Sequence, residues 1–383
     1  MSETGAAVVI VGGGVTGLSA GWWLARSGVD VLVLDKGIVG WEASGRNGGG
    51  CSHAHSPLFA EEQRLWPMLD ELLGYPTEFR PGRIRVAYDE RQFALYARLA
   101  RSASHHGFVT DILDAAQTRA LAPLVGDDIF AAYHYRFGGH ANPHRTAQAY
   151  AWAIQDCSGT VRQHATVLGF ETAGGRVTGV RTQTGTFGCD ALVIAAGPQT
   201  GKLCAMLGVD VPMAAARAEM IVTEPLLPLM HLGGVDGNGL YGRQTLRGNL
   251  AYGGGPHEWI FPGDGMDAPP KNSTPLMGPI AGRLARLFPK ARHARVLRSW
   301  AGLIENTPDG RPVIDRLSAP DNVVVATMSS VGFGLSPASG HAIRDLVLDG
   351  ACRFADLSTV RLSRFARLEP DWAARQGWVA LAA

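Results

Sequence analysis

Residues 6–35 read AAVVIVGGGVTGLSAGWWLARSGVDVLVLD, and their order decides the fold. Ala6–Val11 is an apolar β run that enters Gly12-Gly13-Gly14-Val15-Thr16-Gly17 without a spacer. Leu18–Arg26 then has helical composition, Gly28 ends it, and Val31–Leu34 delivers Asp35 at the tip of a second strand. Each part suits a dinucleotide. Gly12 allows the tight turn, Gly14 lets the backbone approach a pyrophosphate, and Gly17 lets helix and strand pack closely, with the helix N-terminus facing the phosphates. Asp35 sits where a carboxylate accepts hydrogen bonds from the hydroxyls of an adenosine ribose. In a chain with 49 glycines the glycine pattern alone is weak, and the other reading is a turn with no ligand. Here a strand precedes it, a helix follows, and the acid lies 18 residues past the last glycine.

A length of 383 residues allows two domains, or one large domain with an insertion. Hydrophobic content of 46% with 18% charged residues marks a globular chain, and a net charge of +1 gives no electrostatic case for nucleic acid or an anionic membrane. Basic residues between Arg283 and Arg298 alternate with apolar ones and read as a solvated helix face. Five scattered cysteines without a C-x-x-C argue against a disulfide framework, an iron–sulfur cluster or a zinc site, and a cytoplasmic location fits them. The uncharged stretch Gly5–Ala25 is broken by its glycine turn and follows no basic leader, so it reads as strand and helix rather than a membrane span.

Residues 6 to about 75 and about 138 to 210 have α/β character, including the apolar strand Ala191–Ala195 that enters Ala196-Gly197-Pro198. Residues 322–350 have the same character, with strand Asn322–Ala326, a glycine turn, then a helix from Pro337 to Gly350 capped by Ser336. Between them lie alternating strand patterns at Arg83–Tyr88, Glu219–Thr223, Gly239–Arg243 and Asn249–Tyr252. The expected architecture is α/β (α+β overall). A discontinuous Rossmann-like nucleotide-binding domain is drawn from 1–80, 138–210 and 298–383. A mostly antiparallel β-sheet substrate (cap) domain, from 81–137 and 211–297, is inserted into it, and the cleft between the two is the default site.

Ala43–Gly50 (ASGRNGGG) begins eight residues after Asp35 and suits a loop wrapping a ligand with backbone amides, with Ser44, Arg46 and Asn47 as polar contacts. A solvent-exposed glycine loop is the alternative. Ser329–Pro337 (SSVGFGLSP) sets a glycine turn at the start of the last long helix, whose N-terminus would stabilise negative charge on a reduced flavin. On these pieces, together with Lys36, Val167, Ala195–Gly197, Trp300–Leu303 and Thr307–Ile314, the chain resembles the D-amino-acid oxidase/glycine oxidase superfamily of FAD-dependent oxidoreductases. Its Arg46–Gly50, Val222–Pro225 and Ala301–Glu305 runs are most similar to the flavoprotein subunits of opine and D-hydroxyproline dehydrogenases. The resemblance implies FAD with its ribose on Asp35, its adenine beside Val167, its pyrophosphate over Gly12–Gly17 and Ala196–Gly197 nearby. The ring would lie between Arg46-Asn47-Gly48-Gly49-Gly50 and Gly332-Phe333-Gly334-Leu335.

The departures are equally specific. Relatives place a carboxylate-clamping arginine where this chain has Ile304, which cannot make that contact. Either another cation holds a substrate carboxylate, or the substrate has none there. The oxygen-activating lysine of sarcosine oxidases falls at Gly334 and their flavin-linked cysteine at Gly302, so the resemblance implies noncovalent FAD without that lysine. By the same resemblance, the chain oxidises the C–N bond of a small amine or amino acid to an imine by hydride transfer to flavin N5. Electrons then pass to oxygen, a protein carrier or a quinone. Two alternatives stand beside it: a flavoprotein subunit that feeds an iron–sulfur partner, and a biosynthetic flavin oxidase acting on a non-amino-acid substrate. His53 and His55 could take up an ammonium proton or orient the substrate. Tyr241, Arg243 and Tyr252, on strands of the second domain, are candidates for substrate contact or for a solvent-facing sheet surface. No metal site is expected.

Overall fold

The computed structural model describes residues 2–227, 230, 232–255, 257–260 and 274–376. Two sheets organise them. The first has the order β16-β17-β9-β1-β2-β6, where β1 is Ser2–Val11, β2 Val31–Leu34, β6 Thr160–Arg162, β9 Thr186–Ile194, β16 Val313–Arg316 and β17 Val323–Thr327. A hairpin of β7 (Val167–Ala173) and β8 (Arg176–Thr182) extends from β9. Strand β1 runs parallel to β2 and β9, with Val8 opposite both Val31 and Ala191. The cores of β1, β2, β9 and β17 are continuous Val/Ile/Leu runs because both faces of a parallel sheet are covered. On one face pack the helices Val15–Arg26, Pro143–Asp156 and Gly332–Leu348, through Leu18, Trp22, Tyr150 and Ile343. On the other lie Val177, Val180, Phe187 and Leu203.

The second sheet has the order β14-β10-β13-β12-β11-β3-β5-β4, with β15 against β10. These are β3 Arg80–Ala87, β4 Thr110–Leu113, β5 Ala131–His140, β10 Ala214–Pro225, β11 Gly234–Gly237, β12 Leu240–Gln244, β13 Asn249–Gly254, β14 Glu258–Ile260 and β15 Val296–Asn306. Its pairings are antiparallel except β11 with β3. A separate apolar core, including Tyr252, Ile280, Leu284 and Phe288, lies against it. Residues 298–306 and 138–140, expected with the nucleotide-binding pieces, hydrogen-bond into this second sheet as parts of β15 and β5. Strand propensity marked the segments, but only the pairing partner assigns them to a sheet.

The late helix departs from the sequence reading. It starts at Gly332, so Ser336 and Pro337 lie inside it and neither caps it. The start of this helix is buried, and two tryptophans reach its carbonyls from other segments: the Trp66 indole donates to the Gly334 carbonyl at 2.7 Å, and the Trp23 indole to the Pro337 carbonyl at 2.9 Å. No helix among the described residues is long and apolar enough to cross a membrane.

Candidate active site

The turn after β1 opens onto an elongated cavity lined by Gly12, Gly14, Val15, Thr16, Asp35 and Lys36 at one end. Ser44, Asn47, Val167, Ala196 and Gly197 continue its wall, and Gly332 and Phe333 line it too. Gly12 has φ +117°, and a Cβ there would collide with the carbonyl of Ala195, the residue that follows neighbouring β9. Only glycine meets both conditions. Helix Val15–Arg26 begins at this wall with Gly14 as its N-cap, and its own first turn holds no acidic residue to offset its positive end.

Asp35 is already oriented. Its carboxylate accepts from Gly13 N at 2.7 Å and Gly37 N at 2.8 Å. Burial raises its pKa, while the two amides pull the other way. Each oxygen keeps a second lone pair for a ligand hydroxyl. An acid, an anion-favouring helix end and a glycine cradle along one cavity fit the ribose–pyrophosphate half of FAD. Gly13 and Gly17 do not line the cavity. The first orients Asp35, and the second packs against the Gly12 carbonyl.

A second cavity adjoins the first, and Ala43, Asn47, Ile304, Ser330 and Phe333 line both. One wall is the Arg46–Gly50 loop, and the facing wall comes from the second sheet. The loop is built from its own polar groups. Asn47 donates to the Ala43 and Ser44 carbonyls and accepts from Gly49 N, and Ser44 Oγ accepts from Val15 N. The Arg46 guanidinium donates to the carbonyls of Trp41 and Ala301, both at 2.7 Å, and Trp300 Nε1 donates to the Arg46 carbonyl at 2.8 Å. Arg46 thus ties the loop to β15, Asn47 holds the loop to itself, and all three of Ser44, Arg46 and Asn47 line a cavity. Trp300 shares in the tie to Arg46 through its indole N–H.

His53 lines the second cavity. Buried Glu62 accepts from its Nδ1 at 2.7 Å and from its backbone N–H at 3.0 Å. A carboxylate only accepts, so Nδ1 carries the proton and Nε2 is left for a ligand. Gly334 makes room for this ring: a Cβ there would collide with His53 Cε1 and lie 2.6 Å from the Gly50 carbonyl oxygen. His55 also lines the cavity, edge-on to His53 with centroids 6.3 Å apart. Desolvation by the enclosing walls, then neighbouring His53, lowers its pKa to about 4.

The second-sheet candidates separate. Tyr241 lines the cavity, and burial pushes its pKa to about 12. Arg243 does not line it; its guanidinium donates to the Gly48 carbonyl at 2.8 Å and braces the loop from behind. Tyr252 is a core residue: it pairs across from Gly242, is fully buried against Phe288, and donates its hydroxyl to the Val235 carbonyl at 2.9 Å. One residue of register separates a cavity wall from the opposite face of a sheet, and here it excludes Tyr252. Leu335, expected beside the flavin, is likewise fully buried in the core and lines neither cavity.

Several lining residues went unnoticed in the sequence. Buried Glu305 borders the first cavity and accepts from Met328 N at 3.0 Å and Thr327 Oγ1 at 3.2 Å; burial raises its pKa against those donors. Arg83, Arg85, Tyr135, His140 and Met220 line the second cavity, and so does His257, whose place after the glycine run 253–255 reads from sequence as either a pocket residue or, by preference, a loop-stabilising one. An acid within the apolar run LIEN is a cue that could have been read for Glu305. Apart from His257, the others carry no local pattern.

Comparison with known proteins gives the chemistry. Residues 7–346 match the family described as FAD dependent oxidoreductase. The chain belongs to this family. The oxidoreductase is 28% identical to sarcosine oxidase subunit beta of Rhizobium meliloti over 375 residues, covering 94% of this chain and 88% of that protein. It is 29% identical to glycine oxidase of Pseudomonas putida over 364 residues, covering 89% of this chain and 94% of that protein. Its fold matches the crystal structure of L-proline dehydrogenase from P. horikoshii with a TM-score of 0.86 at 22% identity, covering 96% of this chain and all of that one.

Proposed function

We propose that this FAD-dependent oxidoreductase oxidises the C–N bond of a small amine or amino acid to an imine. The observation that carries the reading is the junction of the two cavities. The cavity that holds Asp35 and the glycine turn meets a second chamber at Ile304, Ser330 and Phe333, which line both. The similarity to sarcosine oxidase subunit beta and glycine oxidase over most of the chain supports amines and amino acids as the substrate class. Bound FAD supplies the hydride acceptor.

The chain supplies the rest. Asp35, Gly12, Gly14 and the start of helix Val15–Arg26 hold the nucleotide half, without a covalent link. The N-terminus of helix Gly332–Leu348 borders the channel at Gly332 and Phe333, where its positive end stabilises negative charge. Ile304, Met220 and Phe333 exclude water from the chamber. A substrate ammonium must lose a proton before its nitrogen can stabilise the iminium. His55, with its lowered pKa, is a weak base, so we assign proton uptake to His53 Nε2, with the ring held at Nδ1 by Glu62. Tyr241 supplies a hydroxyl for orientation.

The test is anaerobic mixing of the FAD-loaded protein with a panel of amines and amino acids. Bleaching of the visible flavin band reports hydride arrival directly. A panel without bleaching, alongside reduction by a nicotinamide cofactor, would refute the reading.

A second reading keeps the chemistry but makes the chain one subunit of an assembly that passes electrons to an iron–sulfur partner. The similarity to a protein named as a subunit, across 94% of this chain, favours it, and so does His53 packed against Gly334, where a lysine side chain has no room. Rapid peroxide formation by the isolated chain would count against it.

A further inference from the structure

Ile304 stands on the border of the two cavities and cannot pair with a carboxylate. The second cavity nevertheless has three arginines in its lining, Arg46, Arg83 and Arg85, and no aspartate or glutamate among the described residues. Their situations differ. Arg46 is engaged by two backbone carbonyls and stacks over Trp41. Arg83 is buried and ion-paired with Asp236, which is also buried. Arg85, two residues along β3 and therefore on the same face, has no hydrogen bond or ion pair among the described residues.

What Arg85 does contact is aromatic. Its guanidinium lies 5.7 Å from the ring centre of Tyr96 and 5.9 Å from that of Tyr135. Those faces orient the planar group but cannot accept its N–H donors in the plane. The Tyr135 hydroxyl is itself buried without a partner, as is His257 Nε2, and both residues line the same cavity. Burial and the neighbouring Arg83 disfavour the charge on Arg85. A guanidinium with no hydrogen-bond acceptor thus shares a cavity wall with an unsatisfied hydroxyl, and both carry donors that an anion can take up. One planar anion would relieve both, because a carboxylate takes two parallel N–H donors from a guanidinium and a third bond from a hydroxyl.

We propose that Arg85, aided by the Tyr135 hydroxyl, binds the substrate carboxylate, so that the substrates are amino acids or N-substituted amino acids rather than simple amines. This rests on the amine-oxidation reading for the identity of the substrate, but the anion site itself can be tested apart from turnover. The anchor reaches the chamber from β3, whereas Ile304 lies on β15, where the two cavities meet. A carboxylate held at Arg85 therefore leaves the apolar surface of Ile304 free to pack against a substrate side chain or N-substituent.

The experiment is calorimetric titration of the FAD-loaded protein with acetate, butyrate and benzoate, and with acetamide, butyramide and benzamide as uncharged counterparts. The native protein should bind at least one carboxylate about tenfold or more tighter than its amide. Arg85→Met should remove that preference and leave amide binding unchanged, Arg85→Lys should retain part of it, and Tyr135→Phe should weaken it by about two- to fivefold. If Arg85→Met loses flavin or its cooperative melt, Arg85→Lys and Tyr135→Phe carry the test. Equal affinity for carboxylate and amide in the native protein, or a preference that survives Arg85→Met, overturns the proposal. Arg85-dependent carboxylate binding with no flavin bleaching by any amine would uphold the anion site and refute the reaction reading. Bleaching by simple amines as fast as by amino acids, unaffected by Arg85→Met, would do the reverse.

Discussion

The two cavities of this oxidoreductase are made from different materials. The nucleotide channel takes its shape from backbone: a left-handed glycine at the end of β1, a helix end, and one acid held by two amides. The chamber beyond it takes its character from side chains that reach it from β3, β5, β10, β12 and the Ser52–His55 segment. A backbone cradle tolerates little change at few positions, whereas a side-chain chamber can be rewritten one residue at a time without disturbing the sheet that carries it. That division separates the two regions experimentally.

The largest expected effect breaks the channel alone. Gly12→Val introduces a Cβ against the Ala195 carbonyl in a backbone conformation that disfavours it. Purified variant should carry less than about a tenth of the native flavin per chain, read from the ratio of visible to protein absorbance. Arg85→Met should stay fully yellow. A Gly12→Val protein that retains its flavin would dissolve the distinction between cradle and chamber.

The same distinction explains what the sequence made legible. Residues 6–35 announce themselves because the dinucleotide cradle is contiguous: its turn, helix start and acid are requirements on neighbouring positions. The Arg46–Gly50 loop was recognisable as a loop, yet the duties of Arg46 and Asn47 were not, since their partners Ala301 and Gly49 are fixed only by folding. Arg243 and Tyr252 looked equivalent to Tyr241 on paper. A sheet has two faces, and only the register of β12 against β13 turns Tyr252 into the core while Arg243 braces the loop. Arg85 gave no cue at all, because its meaning lies in what is missing around it, and an absence of partners cannot be read from spacing. Ser336 and Pro337 misled for a related reason: they form a plausible cap, but tryptophans 23 and 66 stabilise the helix beginning at Gly332.

Where the two regions touch, they should be coupled. Gly334 belongs to the helix that borders the channel, and His53 to the chamber. Gly334→Ala should push the His53 ring aside, costing about 1–3 kcal/mol of stability and slowing anaerobic flavin reduction by about 10- to 100-fold. In a His53→Ala background the stability cost of Gly334→Ala should fall but not vanish, because the ring is gone while the Gly50 carbonyl oxygen still lies 2.6 Å from the new Cβ. Additive effects would mean that the tight contact is not what keeps position 334 a glycine.

Behind the chamber the effects should be structural only. Tyr252→Phe leaves the buried Val235 carbonyl without its donor, and should cost about 1–2 kcal/mol in denaturant unfolding with kcat/KM within about twofold of native. Tyr241→Phe, on the facing side of the same strand pair, should show the opposite balance, with unchanged stability and a raised KM. If Tyr252→Phe impaired turnover instead, the face assignment from register would be the part at fault.

The smallest effect concerns pH and returns to the channel, where Glu305 is its most deeply buried acid. Burial raises the Glu305 pKa from its ordinary 4.5, against hydrogen bonds from Met328 N and Thr327 Oγ1. A group whose folded pKa exceeds its unfolded value binds protons better in the folded state. Its favourable contribution is complete below the unfolded pKa and is lost as pH rises through the folded one. Glu305→Gln keeps an acceptor for both donors and stays neutral. The variant should therefore gain stability relative to the native FAD-loaded protein as pH is raised from 4.5 toward 7, as read from urea unfolding at each pH. A difference between the two proteins that does not change with pH would show that bound FAD or a neighbouring donor compensates the buried charge. In that case the polar contribution of Glu305 would belong to cofactor binding rather than to the fold.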